Sequence, residues 1–262
     1  MDISLHGLRA LVCGSTSGIG KASAIELAAL GADVTLAARS ADKLALALHE
    51  LPRTGTQHHA TLVVDTADAG SVQRACAEIS ASSSTFHILV NNTGGPPGGT
   101  MFDATQEQLL AAFQSLMLSA HALTRAVVPG MKAAGYGRII NIQSTSVKQP
   151  IPGLGLSNAV RAAVANWAKS LSMELAPFGI TVNNVLPGYT DTDRLAQLLG
   201  GRAAKAGSTL GKVTGDVIST IPAGRLGKAQ EIAAAVAFLA SPAAAYINGI
   251  NLPVDGARLG TL

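Results

Sequence analysis

Three features of the sequence predict a single α/β domain built on a doubly wound parallel sheet with helices on both faces. Short apolar runs recur at intervals long enough to hold a helix, each run ends in a polar or glycine turn, and the first opens into a glycine-rich turn followed by an Ala/Leu/Ile-rich stretch. With 262 residues, 48% hydrophobic and 13% charged, the chain can bury one substantial core, and nothing in it demands a second domain.

The first run, Leu11-Val12-Cys13, leads into Gly14-Ser15-Thr16-Ser17-Gly18-Ile19-Gly20. Glycine lets a backbone turn sharply and approach a ligand without a Cβ in the way, and the free amides of the next helix's first turn suit a diphosphate. Gly14, Gly18 and Gly20, with Ser15, Ser17 and Ile19 between them, are therefore candidate cofactor-binding residues. The spacing is Gly-x-x-x-Gly-x-Gly, not the Gly-x-Gly-x-x-Gly of longer dehydrogenases, and a tight turn without a ligand is the alternative.

The second run, Ala32 to Arg39, arrives where a parallel sheet places an adenosine ribose. An acidic residue at its end would accept hydrogen bonds from a free 2′-hydroxyl. Ala38 and Arg39 stand there instead, and a guanidinium pairs with a 2′-phosphate, so NADP(H) is expected in preference to NAD(H). A solvated strand-end arginine is the competing reading.

Later runs are Leu62 to Asp65, Ile88 to Asn91 with Asn92-Thr93-Gly94 behind it, Arg138 to Ile142, and Thr181 to Leu186 ending in Pro187-Gly188. Helices are expected over Leu109 to Val128 and Ser157 to Leu175, with one over Asp191 to Leu199. Ser241-Pro242 and Asn248-Gly249 divide the uncharged stretch from Ile232 into a helix and a terminal strand. Asp65 and Asn91 fall at carboxyl ends of strands, where polar groups face a ligand in such sheets. Asp65 reads equally as a capping carboxylate before Ala67 and Asp68.

The glycine turn, Asn91-Asn92-Thr93-Gly94, Pro187-Gly188 with Thr192 five residues after the proline, and the ending Asn248 to Gly256 stand in one order along nearly the whole chain. In this the sequence resembles the short-chain dehydrogenase/reductase family, and within it the 3-oxoacyl-acyl-carrier-protein reductase-like members. The resemblance implies a Rossmann-type sheet with a nicotinamide cofactor. It places Asp65 by the adenine, Asn91 in the turn beside the cofactor with Thr93 and Gly94, and Pro187, Gly188 and Thr192 at the nicotinamide end. It also implies a homo-oligomer, a tetramer or dimer, through the two long helices and the carboxyl-terminal strand.

The reaction centre departs from that pattern. The family's Tyr-x-x-x-Lys pair falls on Ser157 and Arg161, its serine is kept as Ser144, and its asparagine falls on Leu116. A phenol of ordinary pKa about 10 is brought toward neutrality by a neighbouring ammonium, and one positive charge moves a pKa by about 1 to 3. An alkanol starts roughly 6 higher if taken as water-like, so Ser157 is no simple substitute. Arg161 stays protonated and offers a planar fork of donors. Residues four apart share a helix face, so Ser157 and Arg161 are expected to point into one cleft.

Ser144, Ser157 and Arg161 are thus the candidate catalytic set, and three functions are open. The first is an NADP(H)-dependent oxidoreductase of a carbonyl or alcohol, in which Ser144 orients the carbonyl, Arg161 anchors cofactor and polarises substrate, and water, Tyr189 or Lys148 gives the proton. The second is an NADP(H)-binding protein without redox chemistry, a pseudoenzyme or sensor. The third is a non-redox reaction on the same fold, with Arg161 stabilising an enolate.

A net charge of +3 with scattered Lys and Arg and 3% aromatics gives no indication of nucleic-acid binding. No membrane span is expected. Cys13 and Cys76 are isolated, the histidines lack metal-ligand arrangements, and no amino-terminal targeting segment is recognised, so a cytoplasmic, reduced, metal-free protein with a small-molecule substrate is expected. Cys13 reads as a small buried hydrophobe, with a nearby helix amino terminus able to raise its thiolate character. His121 reads as a core or interface residue. The Gly94 to Gly99 loop and the stretch 189–221, a candidate substrate lid, are the two loops long or special enough to shape a site, and Leu154, Leu156 and Tyr189 hint that it is apolar.

Overall fold

The computed structural model describes residues 1–82 and 84–261. In chain order the elements are β1 (Arg9–Cys13), α1 (Gly18–Ala29), β2 (Asp33–Ala38), α2 (Ala41–His49), β3 (Ala60–Val63), α3 (Ala69–Ala81), β4 (Ile88–Asn91), α4 (Gln106–Phe113), a π-helical turn (Gln114–Leu118), α5 (Ser119–Ala134) and β5 (Gly137–Ile142). A 3₁₀ turn (Thr145–Val147) precedes α6 (Gly155–Leu175), and β6 (Ile180–Pro187), α7 (Asp193–Lys205), α8 (Leu210–Ser219), α9 (Ala229–Ala240) and β7 (Asn251–Val254) complete the chain.

The strands form one seven-stranded sheet in the order β3-β2-β1-β4-β5-β6-β7, and every described pairing is parallel. Side chains alternate across it. Along β1, Ala10 and Val12 enter the core layer under α1 and α9, whereas Leu11 and Cys13 enter the layer under α3, α5 and α6. The strand order reverses between β1 and β4, the switch point where such sheets open a crevice at their carboxyl ends.

Four carboxamides cross the sheet at equivalent positions. Asn91 Nδ2 donates to Asn141 Oδ1 at 2.9 Å, Asn141 Nδ2 to Asn184 Oδ1 at 3.0 Å, and Asn184 Nδ2 to Asn251 Oδ1 at 2.8 Å. Each donor and acceptor are register partners in adjacent strands. These amides satisfy one another inside a sheet that is otherwise apolar at this level, so the buried polarity carries little net cost.

Two expectations need correction. The helix expected over Leu109 to Val128 is one helical run from Gln106 to Ala134, interrupted by the π turn on which Leu116 sits. The helix expected over Asp191 to Leu199 is α7, which starts at Asp193 and runs on to Lys205, and a second helix, α8, follows it within 189–221, because Thr192 and Thr209 each cap a helix by accepting an amide three residues on. Within 189–221 these helices carry their own apolar cluster of Leu195, Leu199 and Val217. Cys13 is a buried core residue, as its reading as a small hydrophobe has it, and burial first and then Cys76 push its thiol pKa up to about 12. Among the described residues no helix is long and apolar enough to cross a membrane and no His, Cys, Asp or Glu group could hold a metal ion.

Candidate cofactor and active site

The glycine turn lies at the carboxyl end of β1. Gly14 and Gly18 adopt left-handed φ of 58° and 53°, which only glycine takes without strain. A Cβ on Gly14 would lie 2.6 Å from the Asn92 carbonyl oxygen, so the turn is closed against the β4 loop. Asn92 also donates from Nδ2 to the carbonyls of Cys13 and Gly14, each at 3.3 Å. Asn91, the residue before it, donates into the amide row.

Ser17 is the N-cap of α1, but its side chain makes no cap hydrogen bond and the first turn, with Ile19 and Gly20, holds no acidic residue. By contrast, α2, α3, α4, α7 and α8 have side-chain caps. Ser15 is fully buried and hydrogen-bonded to the Ala37 carbonyl. Arg39, just beyond β2, is exposed and forms no ion pair among the described residues. Uncapped amides without a competing carboxylate, and a free guanidinium at the end of the neighbouring strand, fit the diphosphate and 2′-phosphate of NADP(H).

Asp65 follows β3 and accepts the Ala67 amide at 3.0 Å, while Asp68, not Asp65, caps α3. Thr93 and Gly94 continue from β4 on its carboxyl side, and a Cβ on Gly94 would meet nothing within 4 Å. Pro187 ends β6. Gly188 is packed so closely that a Cβ would lie 2.7 Å from Asp255 Cα. Thr192 reaches back over the glycine turn, its methyl 3.4 Å from where a Gly18 Cβ would stand.

The structure brings Ser157 and Arg161 together on one face of α6. Arg161 is 8% exposed; its Nε donates to Ser157 Oγ at 3.1 Å, and its Nη1 to the carbonyls of Ile142 and Gln143 at 3.1 and 3.0 Å. Those carbonyls immediately precede Ser144, so the guanidinium is pinned beside the third candidate. Ser144 is partly exposed, and its Oγ accepts the Ser146 amide at 3.1 Å, which leaves its hydroxyl proton free to donate. Burial first, and then Arg194, lower the Arg161 pKa to about 10, so it remains a cation at neutral pH.

Leu116 is 5% exposed and packs with Ala112 and Val160, the residue before Arg161, filling this position with hydrocarbon. Beside it lies a cavity of about 10 Å³ lined in part by Asn91, Thr93, Leu116 and Gln143, room for about one water. Tyr189 packs in the α7–α8 cluster, accepts from Arg202 Nη1 at 3.4 Å and lies 4.7 Å under the Arg258 guanidinium. Lys148 stands past the 3₁₀ turn after Ser144. His121 is exposed, not in the core, and accepts from Trp167 Nε1 at 3.3 Å across α5 and α6.

Sequence reasoning missed Arg194 and Asn92. Arg194 donates from Nη2 to the Gly95 and Pro96 carbonyls, both at 2.9 Å, and so joins α7 to the Gly94–Gly99 loop. An arginine in the first turn of a helix, where a cation opposes the macrodipole, is the signal that could have marked it. For Asn92 it was the doubled asparagine at a strand end.

The fold and this crevice define a dinucleotide-binding class of α/β protein, and the chain belongs to the short-chain dehydrogenase/reductase family. Residues 14–257 match the family model described as enoyl-(acyl carrier protein) reductase. Within the family the chain is 3-oxoacyl-acyl-carrier-protein reductase-like: it is 37% identical over 252 residues to the 3-oxoacyl-[acyl-carrier-protein] reductase of Haemophilus influenzae, covering 96% of this chain and 98% of that one. Among solved structures it resembles L-sorbose reductase from Gluconobacter frateurii, complexed with NADPH and L-sorbose, at 31% identity, full coverage of both chains and a TM-score of 0.93. It also resembles YwfH, an NADPH-dependent reductase involved in bacilysin biosynthesis, at 30% identity and a TM-score of 0.90 over 97% of this chain and 99% of that one.

Proposed function

We propose that this protein is an NADP(H)-dependent oxidoreductase that interconverts a carbonyl compound and its alcohol. The observation that carries the reading is the Arg161 guanidinium, fixed by Ser157 and by the two carbonyls preceding Ser144 at the carboxyl end of the sheet. The amides of Gly14 to Gly20 would hold the diphosphate and Arg39 the 2′-phosphate, giving NADP(H) over NAD(H). Asp65 would face the adenine side, and Asn91, Thr93, Gly94, Pro187, Gly188 and Thr192 would border the nicotinamide side. When bound, NADPH supplies the hydride that reduces the carbonyl carbon.

Ser144 would donate its hydroxyl to the carbonyl oxygen, and the Arg161 cation would stabilise the negative charge growing there. The alkoxide then takes a proton from water, which the solvent resupplies, whereas a proton given by Ser157 would have no side-chain relay past Leu116 to replace it. The Arg161 bond also fixes Ser157 as an acceptor, a positioning role. The helices α7 and α8 would act as the substrate lid over 189–221.

The test is NADPH and NADH titration followed by NADPH oxidation with a broad panel of aldehydes and ketones. Turnover that falls about 100-fold or more in Ser144→Ala, with NADPH binding preserved, is expected. Tight NADPH binding with no oxidation by any carbonyl would favour a cofactor-binding protein without redox chemistry. Self-association is part of the same proposal: Leu118, Met173 and Phe178 are 48%, 64% and 42% exposed in or beside the long helices, and sedimentation should give a dimer or tetramer, a monomer alone counting against it.

A further inference from the structure

The environment of Arg161 is incomplete in a specific way. All three of its hydrogen-bond acceptors are neutral, two carbonyls and a hydroxyl, although the residue is buried. Among the described residues the ion pairs are Lys21 with Glu50, Arg74 with Asp68 and Arg225 with Glu231, and none involves Arg161. Its Nη2 donates to no described residue, and it is not among the polar atoms sealed away without a partner, so it borders open space. What faces it there is a second cation: a methyl carbon at Gly95 would stand 3.5 Å from Arg161 Nη2 and 3.7 Å from Arg194 Nη2.

Two guanidinium ends converging on one point repel each other, and Arg194 depresses the Arg161 pKa accordingly. A protein that buries a cation normally supplies a carboxylate. Here the acceptors hold Arg161 in place and Arg194 is held by the Gly95 and Pro96 carbonyls, so neither side chain is free to turn away. An anion entering above Gly95 would meet the free Nη2 hydrogens of Arg161 and the positive charge of Arg194, whose own Nη2 hydrogens are committed to the Gly95 and Pro96 carbonyls.

We propose that Arg161 and Arg194 form a clamp for a carboxylate on the substrate, so that the carbonyl compounds this protein takes are oxo acids. The proposal rests on the oxidoreductase reading above for the word substrate, but the clamp itself stands on the two side chains. The cofactor's diphosphate is a second possible source of the same chemistry. The substrate is favoured because Arg161 is pinned to the residues before Ser144, whereas uncapped amides at Gly14 to Gly20 are already available to the diphosphate.

The experiment is calorimetric titration of the NADP⁺-loaded protein with pyruvate, acetoacetate and levulinate, each against its methyl ester, in the natural chain and in Arg194→Gln. At least one oxo acid should bind about 30-fold or more tightly than its ester, and Arg194→Gln should narrow that ratio to about threefold or less. Equal binding of acid and ester at every spacing overturns the clamp, as does a ratio unchanged in Arg194→Gln. If the variant instead weakens NADPH binding by a similar factor with the acid-to-ester ratio intact, the anion is the diphosphate and the proposal fails. NADPH oxidation is followed in parallel: a preferred oxo acid that binds but is never reduced defeats the oxidoreductase reading and leaves the clamp standing.

Discussion

Replacing Arg161 with methionine separates a cation buried without a counter-charge from an ordinary buried ion pair. The lowering of its pKa to about 10, well below the ordinary guanidinium value, is at about 1.4 kcal/mol for each tenfold step a penalty of about 3 kcal/mol on the charged form. Three hydrogen bonds oppose it, to Ser157 Oγ and the Ile142 and Gln143 carbonyls, each contributing about 1 kcal/mol net. Methionine keeps much of the reach and adds apolar contact, so Arg161→Met should change stability by no more than about 1 kcal/mol in urea unfolding at pH 7. Removing one partner of a true buried pair costs about 3 to 5 kcal/mol. The sign with pH is fixed: because the folded state binds the proton less tightly than the unfolded chain, the penalty is present in full below about 10 and is lifted as pH rises from there toward the ordinary guanidinium value. The natural protein should therefore gain on the variant only above pH 10. A loss of about 3 kcal/mol or more at pH 7 would refute the reasoning, since the hydrogen bonds to Ser157, Ile142 and Gln143 would then outweigh the burial penalty.

Two further outcomes follow from buried groups elsewhere. Asn141→Leu strands the Asn91 Nδ2 donor and the Asn184 Oδ1 acceptor and should cost about 2 to 5 kcal/mol in urea unfolding; a loss under 1 kcal/mol would mean the amide row contributes little. Iodoacetamide at pH 8.5 should leave Cys13 unmodified in the folded chain, its thiol being buried and raised to about 12, and peptide mass spectrometry showing it alkylated as fast as a free thiol would contradict that burial.

The fold was legible because its signal is local and repeated: apolar runs of strand length, each closed by glycine or asparagine, dictate a parallel sheet covered on both faces. The pairing of Ser157 with Arg161 was legible for the same reason, since helical spacing alone places them on one face. Three things lay beyond such reading. The π turn at Gln114–Leu118 depends on packing against α6 and has no marker residue in the sequence. The row formed by Asn91, Asn141, Asn184 and Asn251 needs the strand register, which single strands do not encode. Arg194 meets Arg161 only once two loops and a helix are assembled in space. The buried positions along this helical run, Ala112, Leu116, Ala120, Leu123, Val127 and Met131, are accordingly spaced more widely than a regular helix would require.

That widened spacing ties the chain's length at this point to the reaction crevice. Each residue of a regular helix advances about 100° around its axis, so the one additional residue accommodated by the π turn sets the angular phase of everything upstream of it. Deleting a single residue between Gln114 and Leu118 would swing Ala112 and its neighbours by about a quarter turn, pulling hydrocarbon away from Val160 and uncovering the flank of Arg161 to solvent. Composition could stay unchanged while the cation regained hydration, so a length polymorphism here would alter the chemistry that substitutions at Ser157 and Arg161 define.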